Sequence, residues 1–277
     1  MAATTGPDEL AACILAAGDA GRQFPPLTDR DAAFGLEQAY DISSRISILR
    51  ERRGEHRIGW KIGFTNRTIW DEYGVHAPIW GPMYDTTLAA VPDAAQEFEW
   101  PLAVLVEPRI EPEIMFRIAT EPSPEMNERE LLETIDAVAH GFEIVQSVFP
   151  GWRFQAADTV AAFALHGAYR HGPLAAIGDR SDRDEWFERL KRFEIVLSRD
   201  GREIDRGHAA NVLDGPMSAL LHFVRGLEAD PLRRRLRPGD LVTTGTVTRA
   251  FPVRAGERWQ SRVIGLPLPG LSVAFVA

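Results

Sequence analysis

Two glutamates that lie two residues apart are the clearest candidates for chemistry in the sequence. Glu111 and Glu113 stand in the run PRIEPEIMF (108–116), whose length and alternation are typical of a β-strand. Side chains alternate along a strand, so both carboxylates would project from one face while residues such as Ile110 pack on the other. Two adjacent carboxylates repel, and a hard divalent cation bound by their oxygens removes that conflict. Spacing alone leaves a second interpretation open, an exposed charged strand edge, which Pro112 would suit.

Two further charged residues stand in short apolar segments that favour strands. Glu143, in HGFEIVQS, lies between Phe142 and Ile144, where a buried carboxylate would need a partner. It is the candidate third ligand, although alternation could also place it on a solvated face. Lys61, in GWKIGFT, has two possible roles. Its ammonium could extend to solvent, or it could lie near the metal site and neutralise enolate charge or relay a proton.

Several short motifs follow one another in a fixed order along nearly the whole chain. They are GWKIGFTNRTIWDEYGVHAPIWGPMYD (59–85), PRIEPEI (108–114), GFEIVQS (141–147), ADTVA (157–161), GDLVTTGTVT (239–248) and PVRAGERW (252–259). Together they resemble the 2-oxopent-4-enoate hydratase and 4-oxalocrotonate decarboxylase family of the fumarylacetoacetate hydrolase superfamily. The first is similar to the family's Lys-Ile-Gly opening with its Gly-Val-x-x-Pro-x-x-Gly stretch, and the second to its Arg-Ile-Glu-x-Glu metal strand.

The resemblance implies a role for each matched charged residue. Glu111, Glu113 and Glu143 would bind Mg²⁺ or Mn²⁺, and Lys61 would be the catalytic cation. Asp85 stands where the family has an acidic residue beside the site, so the resemblance implies that it handles protons with Lys61. An aspartate before two threonines is also a common turn cap, which is the competing interpretation for Asp85.

One segment departs from the family pattern. After ADTVA the family continues with Asp-Asn-Ala-Ser-Ser, whereas residues 162–166 of this chain read AFALH. Apolar groups at Phe163 and Leu165 predict a substrate with an uncharged tail, because an unpaired carboxylate is costly to bury. His166 is the exception. It could be a catalytic donor or base, and if protonated it could pair with an acidic tail; otherwise it is a packed or surface histidine.

The resemblance implies a lyase. A hydratase would convert a 2-hydroxydienoate (2-oxo-4-enoate) to a 4-hydroxy-2-oxo acid in aromatic-compound catabolism. A 4-oxalocrotonate-type decarboxylase or a C–C bond hydrolase could use the same metal centre, and a catalytically weak subunit that supports a partner enzyme is a third hypothesis. A second carboxylate-binding cation facing the metal would favour the decarboxylase, and the sequence assigns none.

The elements that must position these residues follow an α+β pattern. Residues 1–55 form a helical N-terminal portion, and residues 56–277 form a β-rich catalytic domain with short strands bounded by Gly and Pro. Spacing in ELLETIDAVAH (130–140) predicts a helix, and the alternating runs around Asp200 and Gly201 predict a hairpin. The resemblance implies a fumarylacetoacetate hydrolase-like mixed β-roll core with peripheral helices.

Composition limits the environment and the partners. The 277 residues carry a net charge of −9, which disfavours nucleic-acid binding. A single cysteine, Cys13, suits a reducing cytoplasm, and neither a signal peptide nor a membrane-spanning run is recognisable. We therefore expect a cytoplasmic protein whose partner is a small 2-oxo carboxylate. The resemblance further implies a homo-oligomer, with a complex with a pathway partner enzyme as an additional expectation.

Overall fold

Helices and strands alternate along the chain, for which the computed structural model describes residues 6–67, 70–73, 75–91 and 93–277. Gly74 of the Gly-Val-x-x-Pro motif lies outside the described residues, as do residues 1–5. In chain order the elements are α1 Pro7–Asp19, α2 Leu36–Arg52, β1 Arg57–Gly63, α3 Trp70–Tyr73, β2 Ile79–Tyr84, β3 Leu88–Ala90, β4 Glu97–Pro101, β5 Arg109–Ile118, α4 Glu128–Leu132, β6 Ile135–Val145, α5 Ala156–Ala161, β7 His166–His171, β8 Ala175–Ala176, α6 Arg180–Leu190, β9 Glu194–Arg199, β10 Arg202–His208, α7 Pro216–Gly226, β11 Leu241–Thr246, β12 Phe251–Pro252, β13 Arg258–Ile264 and β14 Ser272–Val276.

Helices α1 and α2 each bury one apolar stripe. The buried positions recur at spacings of three and four: Ala11, Ile14, Leu15, Ile42 and Ile46. These side chains share a hydrophobic cluster with Ile79 of β2 and Val160 of α5. The first helices therefore pack into the same core as the strands, and the division of the chain at residue 55 stays a prediction. No described helix combines the length and the apolarity that a membrane span requires.

Two mixed sheets form the body of the described chain. The larger sheet has the order β2-β1-β11-β5-β6-β7-β3, with β12 beside β5 and β8 beside β6; the smaller has the order β10-β9-β13-β14-β4. Strand β1 pairs in parallel with β11, β3 with β7, and β14 with β4, while the other pairs are antiparallel. Helices α6 and α7 cover the larger sheet. The predicted α+β class, with helices outside mixed sheets, is confirmed.

Strands β5 and β6 lie at the centre of the core and pair along nearly their full length. One face of β5 packs against α6 and α7 through Ile114 and Phe116, and against the smaller sheet through Ile110. The opposite face carries Glu111 and Glu113. The charges of carboxylates in the middle of a buried sheet have to be compensated by other groups. This face of β5 is therefore unusual.

Two local predictions had opposite outcomes. The hairpin is confirmed, because β9 and β10 are joined by Asp200 and Gly201, whose φ values of 50° and 77° suit a tight two-residue turn. The helix predicted over residues 130–140 is wrong in its second half. Helix α4 ends at Leu132 and strand β6 begins at Ile135, because pairing with β5 outweighs the helical spacing of this segment.

Candidate active site

The register between β5 and β6 brings three glutamates together. Glu111 lies directly opposite Glu143, and Glu113 lies opposite Gly141. One carboxylate oxygen from each glutamate lies within 4.8 Å of the other two. A side chain on Gly141 would collide with the hydroxyl of Tyr169, since a Cβ there would lie 2.4 Å from it. Glu143 thus shares the face of the other two glutamates, and the solvated-face interpretation of Glu143 is wrong.

Gly245, in the GDLVTTGTVT motif, fixes the orientation of Glu113. Strand β11 has a register shift between Thr243 and Thr246, and Gly245 has a φ of +92° there. Its N–H donates a hydrogen bond to Glu113 Oε2 at 3.1 Å. A Cβ at this position would lie 2.0 Å from Thr65 Oγ1, so glycine is required. Among the described residues the other oxygen of Glu113, Oε1, has no hydrogen-bond partner, which leaves it available to a cation.

Burial and neighbouring charges separate the acidities of the three carboxyl groups. Burial raises the pKa of Glu111 to about 7, with Lys61 opposing and Glu143 adding to the rise. Burial, followed by the charges of Glu143 and Glu111, raises the pKa of Glu113 well above its usual range. Burial also disfavours the charge on Glu143, but Lys61 and the hydrogen bond with His166 outweigh it and lower the pKa of Glu143 to about 2. These residues fit a divalent cation, which would supply the positive charge that three ionised carboxylates need.

Lys61 is buried beside the glutamates. Its Nζ lies 3.3 Å from Glu143 Oε2 and donates a hydrogen bond to the carbonyl oxygen of Ala164 at 3.1 Å. Burial lowers the pKa of this ammonium, but the charges of Glu143, Glu111 and Glu113 outweigh burial, and the pKa of Lys61 is raised. The lysine is therefore charged at neutral pH. With 3% of its surface exposed, Lys61 does not extend into solvent, so that interpretation is wrong.

His166 contacts the group of glutamates through Glu143. Its Nδ1 lies 2.7 Å from Glu143 Oε1, and its Nε2 lies 2.9 Å from Thr87 Oγ1. Burial lowers the pKa of His166 despite its contact with Glu143. A neutral imidazole that donates its Nδ1–H to the carboxylate satisfies this geometry. His166 thus orients one oxygen of Glu143.

The residues just before His166 form a left-handed turn. Phe163, Ala164 and Leu165 have φ values of 61°, 50° and 64°, a region that residues other than glycine rarely adopt. Gly81 of β2 makes room for this turn, since a Cβ there would lie 2.9 Å from that of Ala164. The ring of Phe163 lies under the guanidinium of Arg50, with 5.6 Å between the guanidinium carbon and the ring centroid. Phe163 therefore contributes to the packing of α2 rather than to the site.

Asp85 lies apart from the cluster. It is exposed at the turn between β2 and β3, and its Oδ1 accepts a hydrogen bond from the backbone N–H of His56 at 3.1 Å. This bond joins the turn to the residue that precedes β1, 29 residues away in the sequence. Asp85 does not join the group of three glutamates, so its proton-handling role stays a prediction.

A cavity of about 370 Å³ opens onto Lys61 and Glu111. Its other walls include Arg109, Val145, Trp152, Phe154, Ala164, Leu165, Thr246, Thr248 and Arg249. His166 and Phe163 do not line this cavity. Residues 162–166 predicted an uncharged pocket, but the walls of this cavity also contain two arginines, Arg109 and Arg249.

The sequence interpretation missed Arg109, Trp152 and Arg249. Arg109 lies two residues before Glu111 in β5, so strand alternation could have placed it on the metal face. Its guanidinium stacks on Trp152, with 3.9 Å between the guanidinium carbon and the ring centroid. Trp152 and Arg249 lie on connecting segments, where no periodicity points to a side-chain direction.

The chain is similar to known proteins whose names agree with the resemblance of its motifs. No family model matches the chain. The 2-keto-4-pentenoate hydratase of Paraburkholderia xenovorans is 27% identical over 260 residues, which cover 94% of this chain and 91% of the hydratase. The 4-oxalocrotonate decarboxylase of a Pseudomonas species is 29% identical over 236 residues, which cover 85% of this chain and 86% of the decarboxylase.

Solved structures show the same fold. The 4-oxalocrotonate decarboxylase of Pseudomonas putida G7, complexed with magnesium and adipate, superposes with a TM-score of 0.87 at 23% identity, covering 98% of this chain and 97% of the decarboxylase. The fumarylpyruvate hydrolase of Pseudomonas aeruginosa, with Mn²⁺ and pyruvate, reaches a TM-score of 0.60 at 20% identity, covering 80% and 89%. The fumarylacetoacetate hydrolase-like fold is confirmed, and the chain is similar in sequence to proteins named 2-keto-4-pentenoate hydratase and 4-oxalocrotonate decarboxylase, the two activities of the family that its motifs resemble.

Proposed function

We propose that this protein is a divalent-metal-dependent lyase that hydrates a 2-hydroxydienoate (2-oxo-4-enoate) to a 4-hydroxy-2-oxo acid. The observation that carries the proposal is the group of Glu111, Glu113 and Glu143, of which Glu111 lines a cavity beside the charged Lys61. Relatives named as hydratases support this reaction type. Neighbouring structures with magnesium, calcium or Mn²⁺ support Mg²⁺ or Mn²⁺ as the cofactor.

The three glutamates would hold the cation. When bound, it supplies Lewis acidity toward the carboxylate and 2-oxo oxygens of the substrate. Two of these ligands each have one carboxylate oxygen held by a hydrogen bond. Gly245 binds Glu113 in this way, and His166 binds Glu143. Such supporting hydrogen bonds fix ligand orientation and tune metal affinity. We therefore assign His166 a positioning role in place of the catalytic one predicted from the sequence.

Lys61 is the proposed catalytic cation. Ketonisation transfers the proton of the 2-hydroxyl to the far end of the diene, and water then adds its oxygen at C4 and a proton at C3. Negative charge accumulates on the 2-oxo oxygen during both steps. A fixed ammonium in a water-poor cavity stabilises that charge more effectively than solvent does, and Lys61 can also carry a proton.

Decarboxylation of a 4-oxalocrotonate-type diacid is the second candidate, and the basic residues of the cavity favour it. In that reaction the bond to the departing carboxylate breaks, its electron pair enters the conjugated 2-oxo system, and a proton takes the vacated position. One sequence relative is named for this activity, and the adipate in the P. putida G7 structure is a dicarboxylate. A C–C bond hydrolase on the same centre is a further candidate. Its support is the weaker structural similarity to the fumarylpyruvate hydrolase.

The cellular setting is part of the proposal. We expect a cytoplasmic homo-oligomer in the catabolism of aromatic compounds, with a complex with a pathway partner enzyme as a further expectation. The dienoate substrates in the names of relatives support this setting.

A substrate panel tests the function. The purified protein is incubated with 2-hydroxypenta-2,4-dienoate and with 4-oxalocrotonate, with and without Mg²⁺, and products are identified by mass. Gain of one water from the dienoate, only with the metal, supports the hydratase; loss of carbon dioxide from the diacid supports the decarboxylase. A protein that binds Mn²⁺ tightly and converts neither compound would contradict the lyase and favour the supporting-subunit hypothesis.

A further inference from the structure

We propose that Thr87 is a positioning residue of the metal centre: its hydroxyl donates a hydrogen bond to His166 Nε2 and thereby fixes the imidazole that holds Glu143. The proposal rests on the proposed function in taking Glu143 as a metal ligand. His166 stands in the segment that departs from the family pattern, so the resemblance implies no such pair. Thr87 therefore acts on the metal centre through a residue that distinguishes this chain.

Thr87, His166 and Glu143 form a chain of hydrogen bonds between segments that are distant in the sequence. Thr87 lies in the connection between β2 and β3, His166 is the first residue of β7, and Glu143 lies on β6. Thr87 Oγ1 is 2.9 Å from His166 Nε2, and His166 Nδ1 is 2.7 Å from Glu143 Oε1. The surface of His166 is 5% exposed and that of Glu143 is fully buried. Polar atoms buried this deeply need hydrogen-bond partners, so these two contacts determine how the ring is held.

The direction of each hydrogen bond follows from the number of protons available. A glutamate that binds a metal is ionised, and an ionised carboxylate can only accept. His166 Nδ1 must therefore carry the proton that lies between the ring and Glu143. A neutral imidazole has one N–H, so Nε2 is left as an acceptor and needs a donor. The hydroxyl of Thr87 is the group that the structure places there. The hydrogen bond at one ring nitrogen thus sets the protonation of the other.

The hydroxyl of Thr87 is held in the orientation that this role requires. Its oxygen accepts a hydrogen bond from the backbone N–H of Tyr84 at 3.2 Å, which leaves its own proton to be donated. The carbonyl oxygen of Tyr84 competes for that proton but is farther away, at 3.3 Å. The backbone of Thr87 is fixed as well, because its carbonyl oxygen accepts from the N–H of Tyr169 on β7 at 2.7 Å. The turn that carries the hydroxyl is thus attached to the strand that begins with His166.

The second hydrogen bond on the ring limits its motion. An imidazole held at one nitrogen can still rotate about its Cβ–Cγ bond, whereas a ring held at both nitrogens has one orientation. Loss of the Thr87 hydroxyl should therefore loosen Glu143 and weaken cation binding, by less than loss of His166 itself. The competing role for Thr87 is local, a hydroxyl that stabilises only its own turn. A local role would alter stability without changing His166 or the metal affinity.

Nitrogen NMR and calorimetry separate the two roles. The protein is labelled with ¹⁵N in its histidines and measured metal-free at pH 8, where protonated and unprotonated ring nitrogens have well-separated resonances. We expect the proton of His166 on Nδ1 and a hydrogen-bonded, unprotonated Nε2. Thr87→Val, which keeps nearly the same shape, should move the Nε2 resonance toward that of a free nitrogen. It should also weaken Mn²⁺ binding about threefold to tenfold, the size of one lost hydrogen bond.

Two further variants complete the test. Thr87→Ser keeps the hydroxyl and should restore both the Nε2 resonance and the Mn²⁺ affinity. Thr86→Val is the matched control, because the neighbouring hydroxyl is directed to Glu55 Oε2 at 2.6 Å and should affect neither quantity.

Three results would overturn the positioning role of Thr87. They are a wild-type His166 with its proton on Nε2 or on both nitrogens, an Nε2 resonance that is the same in Thr87→Val, and wild-type Mn²⁺ affinity in that variant. The NMR measurement needs neither metal nor turnover, so the hydrogen-bond chain and the lyase can fail separately. The expected resonances and affinities without any conversion of dienoates would contradict only the reaction.

Discussion

The two walls of the cavity are built in different ways. The strand wall consists of Lys61 on β1 and of Arg109 and Glu111 on β5, and Glu113 and Glu143 lie next to it in the group formed with Glu111. Its charged groups are held by sheet pairing and contact one another directly. The loop wall consists of residues 152, 154, 164, 165, 246 and 248–250, which lie mainly on connections between elements. It carries apolar side chains, a left-handed turn and a partly exposed arginine.

This difference separates the reaction from the choice of substrate. A residue on a paired strand cannot move to the other face without a shift of the whole register, so the strand wall tolerates little change. Connections accept substitutions more readily, because few backbone hydrogen bonds depend on them. The strand wall retains the charged residues of the family motifs, whereas the departure from the family at residues 162–166 falls in the loop wall and its junction with β7. Substitutions in the strand wall should therefore abolish chemistry, and those in the loop wall should alter substrate affinity.

The largest effect is expected at Lys61. Lys61→Met should lower the turnover number about 1,000-fold, because it removes a charge that stabilises the enolate as it forms. Affinity for Mn²⁺ should not fall, since the three glutamates remain. Steady-state kinetics and calorimetry measure the two quantities, with Lys191→Met on the surface of the protein as the control. Unchanged turnover in Lys61→Met would show that Lys61 takes no part in the reaction.

The second effect concerns the metal ligands. Glu113→Gln should weaken Mn²⁺ binding about 100-fold, because the site loses one of its three anionic ligands. Glutamine can still accept the hydrogen bond from Gly245, so the fold should persist and circular dichroism should be unaltered. Glu99→Gln, on exposed strand β4, is the matched control. Wild-type affinity in Glu113→Gln would refute the metal site.

The third test addresses His166, where the loop wall meets the strand wall. His166→Ala should weaken Mn²⁺ binding about tenfold, because Glu143 loses the hydrogen bond that orients it. His166→Asn retains an N–H donor and should recover part of the affinity. A loss of turnover at full metal saturation, with unchanged metal affinity, would instead return His166 to the catalytic role predicted from the sequence.

The fourth test uses pH. The folded pKa of Glu111 is about 7, above its ordinary value of 4.5, so ionising it destabilises the metal-free protein. That penalty is absent below the unfolded pKa, grows as pH rises from about 4.5 to 7, and is complete above. Glu111→Gln should therefore stabilise the metal-free protein at pH 8 by about 3 kcal/mol, and at pH 5 by about 1 kcal/mol. Denaturant unfolding at both pH values measures it; a larger gain at pH 5 would contradict the assignment.

The smallest effect is expected in the loop wall. Leu165→Ala should raise KM up to about tenfold with turnover and metal affinity retained, because it removes apolar contact made equally in the ground and transition states. Phe163→Ala is the paired control, since its ring faces α2 and should affect stability alone. A large loss of turnover in Leu165→Ala would show that the two walls are not functionally separate.

Strand periodicity was the reliable guide to the site. The alternation in PRIEPEIMF placed Glu111 and Glu113 on one face, and the same rule, applied two residues earlier, would have placed Arg109 there. Asp85 could not be judged in this way, because it lies at the end of a strand where capping and catalysis predict the same residue type. Residues 135–140 have helical spacing but form part of β6, because their backbone pairs with that of β5.

The sequence by itself determined the α+β class, the family resemblance, and the residue types of the candidate metal centre, because alternation and motif order are local properties of the chain. Tertiary structure decided which charges meet. Gly245 donates to Glu113 across 132 residues of sequence, and Lys61 donates to Ala164 across 103. The turn that removes Phe163 from the cavity exists because Gly81, on another strand, leaves room for it. Contacts of this kind depend on close approach between distant segments, and no local pattern in either segment contains that information.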